Sequence, residues 1–515
     1  MLKHLNQVRA DMSFAINRFG GRMLDLRGMT RVAILGGGTA GWLAALYLRK
    51  ALQPHVEVLL ISAPEIPIVG VGEGGILNFI TALKQLDIPL FEFMSETNAV
   101  HKLGFVYEGW RKNNKDPNDY FYHMFPIIED TSPIVTMMVN HDIPVSYITD
   151  SIQLREKNIS QIELTHMLTQ QKLKNNFNSS FHFDTYKVGQ YLRKIALKRG
   201  VIHREGLYKD IQRHTENGLV TALLVNDECI PVDFVIDASG FSRQILGKKM
   251  MGEWQSFQES LSLNTAIPFH LKHTQKNPDL VTRSTAMNAG WVWQIPLQER
   301  IGAGYVYNSN FISAEQAVDE VEQWLGHAIE PIRTITFEAG FYKEIWKGNV
   351  LAIGLASGFV EPLEATSIGQ TLQQLRLFMN IIFECQAVVS KSSVDYFNKQ
   401  NANAWYEIRD FIAMHYDTGR EDTPFWKFVS KDLVFSSQYL SLKKCWQHRM
   451  PKDIELMCYT MGFTSLFGRY SWITIAQALG IIKADATVAD LMAVPVEEQK
   501  ELISFMQRLK KKLGK

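Results

Sequence analysis

One run near the start of the chain fixes what its first part can fold into. Arg31 to Leu35 reads RVAIL, a short apolar strand. Gly36-Gly37-Gly38-Thr39-Ala40-Gly41-Trp42 follows, then the Ala- and Leu-rich stretch Leu43 to Leu52, then a second apolar strand, Val56 to Ile61. Strand, glycine turn, helix and strand within ~30 residues open a dinucleotide-binding unit. Gly36 allows the tight turn, Gly38 lets the backbone approach a pyrophosphate, and Gly41 lets helix and strand pack closely. Thr39 and Ala40 begin the helix, whose free N–H groups and partial positive charge suit phosphates. The competing reading is a purely structural glycine turn.

An acid that would hold a ribose usually ends the second strand; here Ser62-Ala63-Pro64 stands there, with Glu65 beyond. Two further strand-end elements occur, Val235-Ile236-Asp237-Ala238-Ser239-Gly240 and Gly348 to Gly354. Three such elements, widely separated, fit an extended FAD better than NAD, unless they are ordinary strand-end turns. No second nucleotide-binding unit for NAD(P)H is evident.

The rest of the chain reads as α/β first and helical later. Residues 76–100 read as helix with breaks, 184–199 as helix, and Val201 to Ile211, Val220 to Val225 and Asp233 to Ile236 as strands. Residues 291–307 alternate like a strand, and 369–390 and 394–414 are amphipathic helices. The expected fold is an FAD-binding Rossmann-like α/β domain with an inserted sheet, plus a helical, substrate-covering C-terminal part. Its divisions are an N-terminal extension at 1–29, the α/β domain at 30–380 and the helical part at 381–515. The extension is either an accessory helix or a product of start-site choice. It lacks an uninterrupted apolar stretch and an A-x-A site, so no secretory signal is expected.

Composition removes several function classes. With 515 residues, 54 Lys+Arg and 53 Asp+Glu, the formal charge is +1, which offers no strong field for nucleic acid. The four cysteines, Cys229, Cys385, Cys445 and Cys458, form no disulfide framework and no C-x-x-C pair. They suit a reducing compartment, and a cytoplasmic protein is expected. No apolar run reaches the ~18–20 residues that span a bilayer, and no metal is expected. A nucleophile elbow and a basic–aromatic array for RNA are also missing.

Two later motifs make a resemblance visible: Trp291-Val292-Trp293-Gln294-Ile295-Pro296 and Gly358-Phe359-Val360-Glu361-Pro362-Leu363-Glu364-Ala365-Thr366. With Gly36 to Trp42 and Gly70-Val71-Gly72-Glu73, they resemble the flavin-dependent tryptophan halogenase family, from about residue 31 to about 430. The resemblance implies an enzyme that uses reduced FAD, O₂ and halide to make hypohalous acid. That oxidant travels down a tunnel to a lysine beside an electron-rich aromatic such as an indole. Trp291 and Trp293 would be a barrier that keeps the substrate away from the flavin. Other implied partners are a separate flavin reductase that supplies FADH2, a small aromatic substrate and halide as co-substrate. A homo-oligomer remains open.

The resemblance also carries site residues. The lysine matches Lys102 and the glutamate Glu364, which orients the lysine or takes the proton released by the ring. A lysine with this task has to be held and partly desolvated, which lowers its pKa. Glu361, the neighbour of Glu364 in the motif, is expected to face elsewhere; the competing reading gives it hydrogen bonds within its loop. The family's halide site uses backbone N–H groups of a Thr-Gly pair; here it is Thr366-Ser367, and Ser367 would be strained if glycine geometry were required. The serine expected after the glutamate is Ala365. Cofactor contacts carried over are Ala63, Gly74 (often alanine in the family), Tyr208, Asp237, Gly354, Leu355 and Ile368. His101 and His123 are candidate pocket residues, though a lone histidine is more often structural. Trp446 and Trp472 either sandwich an indole or pack in the core, and the stretch from Cys445 to Trp472 matches the lid of tryptophan-specific members poorly. Free tryptophan is therefore expected to be a poor substrate. The rival readings are a flavin-dependent aromatic monooxygenase and a non-catalytic flavin-binding protein.

Overall fold

The computed structural model describes residues 23–65, 72–111, 116–127, 133–169, 176–459 and 465–513. Arg31–Leu35 is the middle of a six-stranded sheet in the order 346–347, 350–352, 234–237, 31–35, 57–62, 202–205. The last five strands run parallel, with Ile34 opposite both Ile236 and Leu60. The inner four of these are short and apolar because both faces are covered, as parallel sheets require, while the edge strand 202–205 is polar and largely exposed. The helix Thr39–Ala51 leaves the glycine turn and packs against the helix Thr185–Lys198. Asp184 caps the latter, its carboxylate accepting from the N–H groups of Tyr186 and Lys187.

The inserted sheet has seven strands in the order 335–336, 265–271, 301–307, 290–296, 281–286, 104–108, 120–124. Residues 291–307 are thus a hairpin of Gly290–Pro296 and Ile301–Tyr307. A three-stranded sheet links the two halves, with Ser180–Phe183 between Glu73–Gly74 and Val100–Lys102. The expected strand 201–211 is two strands, Ile202–Glu205 and Tyr208–Arg213, which enter different sheets. The break falls at Gly206, where a Cβ would lie 2.6 Å from Val225 Cγ1. Residues 76–100 form the helices Leu77–Gln85 and Leu90–Thr97 and a strand from Val100, with Pro89 heading the second helix.

The long helices are Thr366–Glu384 and Lys391–Met414. The first runs through position 380, where the division of the chain was expected. Of the N-terminal extension, Leu24–Asp25 pairs with Val388–Val389; its expected accessory helix lies outside the described residues. Two large cores result among the described residues, one around the parallel sheet and one joining the seven-stranded sheet to the C-terminal helices, with two small clusters beside them. Among the described residues no helix is long and apolar enough to cross a membrane.

Candidate active site

The glycine loop separates into glycines that packing demands and one that it does not. Gly36 has φ +122°, and a Cβ there would overlap the carbonyl oxygen of Ala238. A Cβ on Gly41 would overlap Gly36 O. Over Gly38, by contrast, nothing lies within 4 Å of an added Cβ. Gly38 is also the N-cap of the helix Thr39–Ala51 and gives its first turn no side-chain cap, while Thr39 Oγ1 is buried without a partner. Open space, uncapped N–H groups and an orphaned hydroxyl fit a phosphate-bearing group such as FAD.

The other cofactor candidates gather unevenly around that loop. Gly354, at φ +59°, would place a Cβ 3.0 Å from Ala40 Cβ, so the third glycine element meets the first. Leu355 and Ile368 are half-buried, and Ile368 packs on the parallel-sheet core. Tyr208 is half-buried with its hydroxyl unpartnered, and Ala63 is half-buried just past the strand Glu57–Ser62. Asp237 is different. Its carboxylate accepts from Ser239 N and Oγ, Ile245 N and Leu246 N, at 2.6–3.1 Å, so it is committed to the loop that follows it. Gly74 faces Lys102: a Cβ there would lie 2.7 Å from Nζ.

Lys102 ends the strand Val100–Lys102 and is fully buried, with no hydrogen-bond partner for Nζ. The ammonium sits 3.7 Å from the centroid of Phe105. Burial pushes its pKa down to about 7, and the charge of Glu364 offsets only part of that change. Glu364 is buried too, on the loop that enters the helix Thr366–Glu384. It accepts from Tyr107 Oη at 2.6 Å, His123 Nδ1 at 2.9 Å and His415 Nε2 at 3.1 Å. Burial alone would raise its pKa; the charges and hydrogen bonds of His123 and His415 win and hold it well below the usual carboxylate range.

Glu364 opens onto a cavity of about 120 Å³, lined mainly by Ile76, Phe105, His123, Phe125, Phe467 and Ser471. The lining is apolar apart from a few polar groups, as a small-molecule site should be. Among the described residues that line it, Glu364 is the one carboxylate, and no lysine or arginine joins it. Trp446 and Trp472 do not line it. Both are fully buried and cross edge to face at 5.6 Å, with Tyr459 stacked on Trp472. Among the described aromatics between Cys445 and Trp472, the one that lines the cavity is Phe467, itself stacked on Phe411 at 3.8 Å.

The barrier tryptophans share a strand face, with ring centroids 6.4 Å apart. Trp291 is fully buried and donates from Nε1 to Glu361 Oε2 at 2.8 Å, and Tyr416 Oη donates to the same oxygen at 2.5 Å. Glu361 therefore anchors the Trp291 indole together with Tyr416, and burial pushes its pKa up to about 7. The expected strain at Ser367 is not present. Ser367 is helical, and the left-handed residue is Ala365, at φ +53°. Thr366 opens the helix, buried, with Oγ1 unpartnered, and Ala365 has no side chain to cap the first N–H groups. That helix start can take an anion.

Of the two candidate histidines, His123 lines the cavity and His101 does not. His101 bonds Ser179 Oγ and Thr165 Oγ1 through its two ring nitrogens, and burial pushes its pKa down to about 4. Sequence reading missed Tyr107, His415, Tyr416 and Ser471. Tyr107 lies in the run Phe105-Val106-Tyr107-Glu108-Gly109-Trp110 that follows Lys102, where period-2 alternation puts it on the face of Phe105. For His415 and Ser471 no local signal exists. Among the described residues no group of three or more His, Cys, Asp or Glu is placed to hold a metal.

Comparison with known proteins places the whole chain. The family model described as tryptophan halogenase matches residues 31–493. Tryptophan 7-halogenase RebH of Lentzea aerocolonigenes is 31% identical over 430 residues, 78% of this chain and 79% of that protein. Tryptophan 6-halogenase ThaL of Streptomyces albogriseolus is 30% identical, covering 88% and 89%. The solved tryptophan 6-halogenase SttH of Streptomyces toxytricini superposes with a TM-score of 0.82 at 26% identity, over 94% of this chain and 97% of that one. Glycine loop, tryptophan strand, buried lysine and buried glutamate thus sit in a chain that belongs to the tryptophan halogenase family, whose members are flavin-dependent halogenating enzymes.

Proposed function

We propose that this chain halogenates a small, uncharged, electron-rich aromatic such as an indole, with Lys102 presenting the oxidant. The observation that carries the reading is the fully buried, unpartnered Lys102 ammonium on Phe105, a ring that also lines the Glu364 cavity. FAD would be held by Gly36, Gly38, Thr39, Ala40, Gly41, Ala63, Tyr208, Gly354, Leu355 and Ile368. When bound in reduced form it supplies, with O₂ and halide, the hypohalous acid. Halide would rest on the N–H groups of Thr366 and Ser367. Trp291, fixed by Glu361 and Tyr416, keeps the aromatic substrate from the flavin. Lys102 donates a hydrogen bond to the oxygen of hypohalous acid and thereby aims the halogen at the cavity. A desolvated cation does this better than a hydrated one, because water competes less for the bond.

Substrate charge follows from the lining. Free tryptophan brings an ammonium and a carboxylate, and a buried charge without a partner is costly. The described lining offers Glu364, already bonded by three side chains, and no cation. A separate reductase would supply the reduced flavin. The four unpaired cysteines, two of them exposed, suit a reducing compartment such as the cytoplasm. The test is turnover of purified protein with a flavin reductase, NADH, O₂ and bromide on indole and tryptophan side by side, read by mass spectrometry. Brominated indole in excess of brominated tryptophan is expected. Hydroxylated product in place of brominated product would establish a monooxygenase, and preference for tryptophan would overturn the substrate assignment.

A further inference from the structure

Ser471, His123 and Glu364 all line the cavity and are bonded in series. Ser471 Oγ lies 3.0 Å from His123 Nε2, and His123 Nδ1 lies 2.9 and 3.0 Å from the two oxygens of Glu364. The imidazole is held flat against Phe105 at 5.9 Å and by Phe411 at 5.8 Å. A carboxylate only accepts, so the hydrogen of neutral His123 is on Nδ1 and its lone pair is on Nε2, toward Ser471. Glu364 also takes Tyr107 Oη and His415 Nε2. Three side chains therefore already donate to Glu364, while Nε2 of His123 meets the Ser471 hydroxyl at the cavity wall.

We infer that the proton lost by the aromatic ring leaves through Ser471 to His123, and that Glu364 is the positioning residue that fixes the imidazole. This rests on the halogenation reading above. Halogen passes from hypohalous acid to a ring carbon as X⁺, and the hydroxide left behind takes a proton from Lys102 and departs as water. The C–H bond at that carbon then breaks and its electron pair restores the aromatic ring. The proton goes to Ser471 Oγ while the serine's own proton moves to His123 Nε2. The imidazolium, paired with Glu364, later returns a proton to Lys102, so the sum is ArH + HOX → ArX + H₂O. The division of labour among hydroxyl, imidazole and carboxylate is that of a catalytic triad, with the serine as conduit instead of nucleophile.

The test is the rate of indole bromination with ordinary and with ring-deuterated indole, in the wild type and in Ser471→Ala, Ser471→Thr and His123→Phe. His123→Phe keeps an aromatic ring and removes the lone pair; it should lose ~10²-fold in product formation. Ser471→Ala and His123→Phe should each show a deuterium isotope effect larger than that of the wild type, because C–H cleavage has become slow. Ser471→Thr, which keeps the hydroxyl, should restore the wild-type value. A purely structural loss lowers the rate without changing the isotope effect, so unchanged isotope effects in Ser471→Ala would overturn the inference, whether or not His123→Phe folds. Absence of bromination in the wild type, or full bromination by Lys102→Ala, would instead sink the underlying reading, and both are visible without deuterium.

Discussion

The two halves of the molecule reach their sites by opposite routes. In the parallel-sheet half, the centre of the site is one continuous loop: Gly36 and Gly41 fix its shape within six residues and Gly38 leaves it open. In the aromatic half the site is assembled across the chain. Tyr107 and His123 reach Glu364 over 257 and 241 residues, and Ser471 reaches His123 over 348. Local sterics dictate the first; the packing of the seven-stranded sheet on the C-terminal helices dictates the second. A defect in the first half should therefore act on cofactor and fold together, and a defect at Glu364 in the second on chemistry with the cofactor retained.

The largest effect should come from Gly41→Val. The added side chain collides with Gly36 O, so both thermal stability and flavin binding are expected to be lost, as a melting curve and flavin absorbance would show. Gly38→Val sharpens the contrast, since its Cβ meets no protein atom: melting should stay near wild type while flavin occupancy falls. Equal loss of stability in both variants would mean that Gly38, too, serves packing.

Glu364→Gln probes the other half. It keeps the shape but leaves His123 and His415 without their common carboxylate. Halogenation should fall ~10²-fold or more with flavin binding unchanged. Concurrent loss of flavin would show that the two halves are not separable in this way.

A smaller effect concerns stability and pH. The folded pKa of Lys102, about 7, lies below its ordinary value of 10.5, so between these values the unfolded chain binds more protons. Stability then rises with pH across that window, and the cost of the buried cation is fully present below pH 7. Lys102→Met should stabilise the protein by a few kcal/mol at pH 6, since each tenfold loss of proton affinity on folding costs about 1.4 kcal/mol, and the gain should shrink toward pH 10. A gain independent of pH in chemical denaturation would contradict the burial of a titrating lysine.

The smallest effect is expected at Trp472→Phe. This ring packs on Trp446 and Tyr459 away from the cavity, so the change should cost ~1–3 kcal/mol of stability and leave KM for indole unchanged. A marked rise in KM would return Trp472 to the substrate site.

The same contrast explains what could be read before the structure. The strands Arg31–Leu35 and Phe234–Asp237 and the helix after the loop were legible because their signals are contiguous. Lys102 and Glu364 were legible only as parts of recurring motifs. Of the partners that give Glu364 its low pKa, His415 was not, because it closes a helix with no motif around it; Ser471, which meets His123, begins another helix with none either. That Glu361 turns elsewhere than Glu364 was legible, but its partner was not: Trp291 stands 70 residues away. Asp237 matched a cofactor pattern yet feeds its own loop, since four donors from residues 239–246 converge on it.

The central claim is that Lys102 hands the oxidant to the cavity and takes no part in making it. Lys102→Ala, assayed with reductase, bromide and indole, separates the two by measuring flavin oxidation and brominated indole in the same reaction. The expected result is wild-type flavin binding and oxidation with brominated indole abolished. Brominated indole formed at a near wild-type rate would contradict the account.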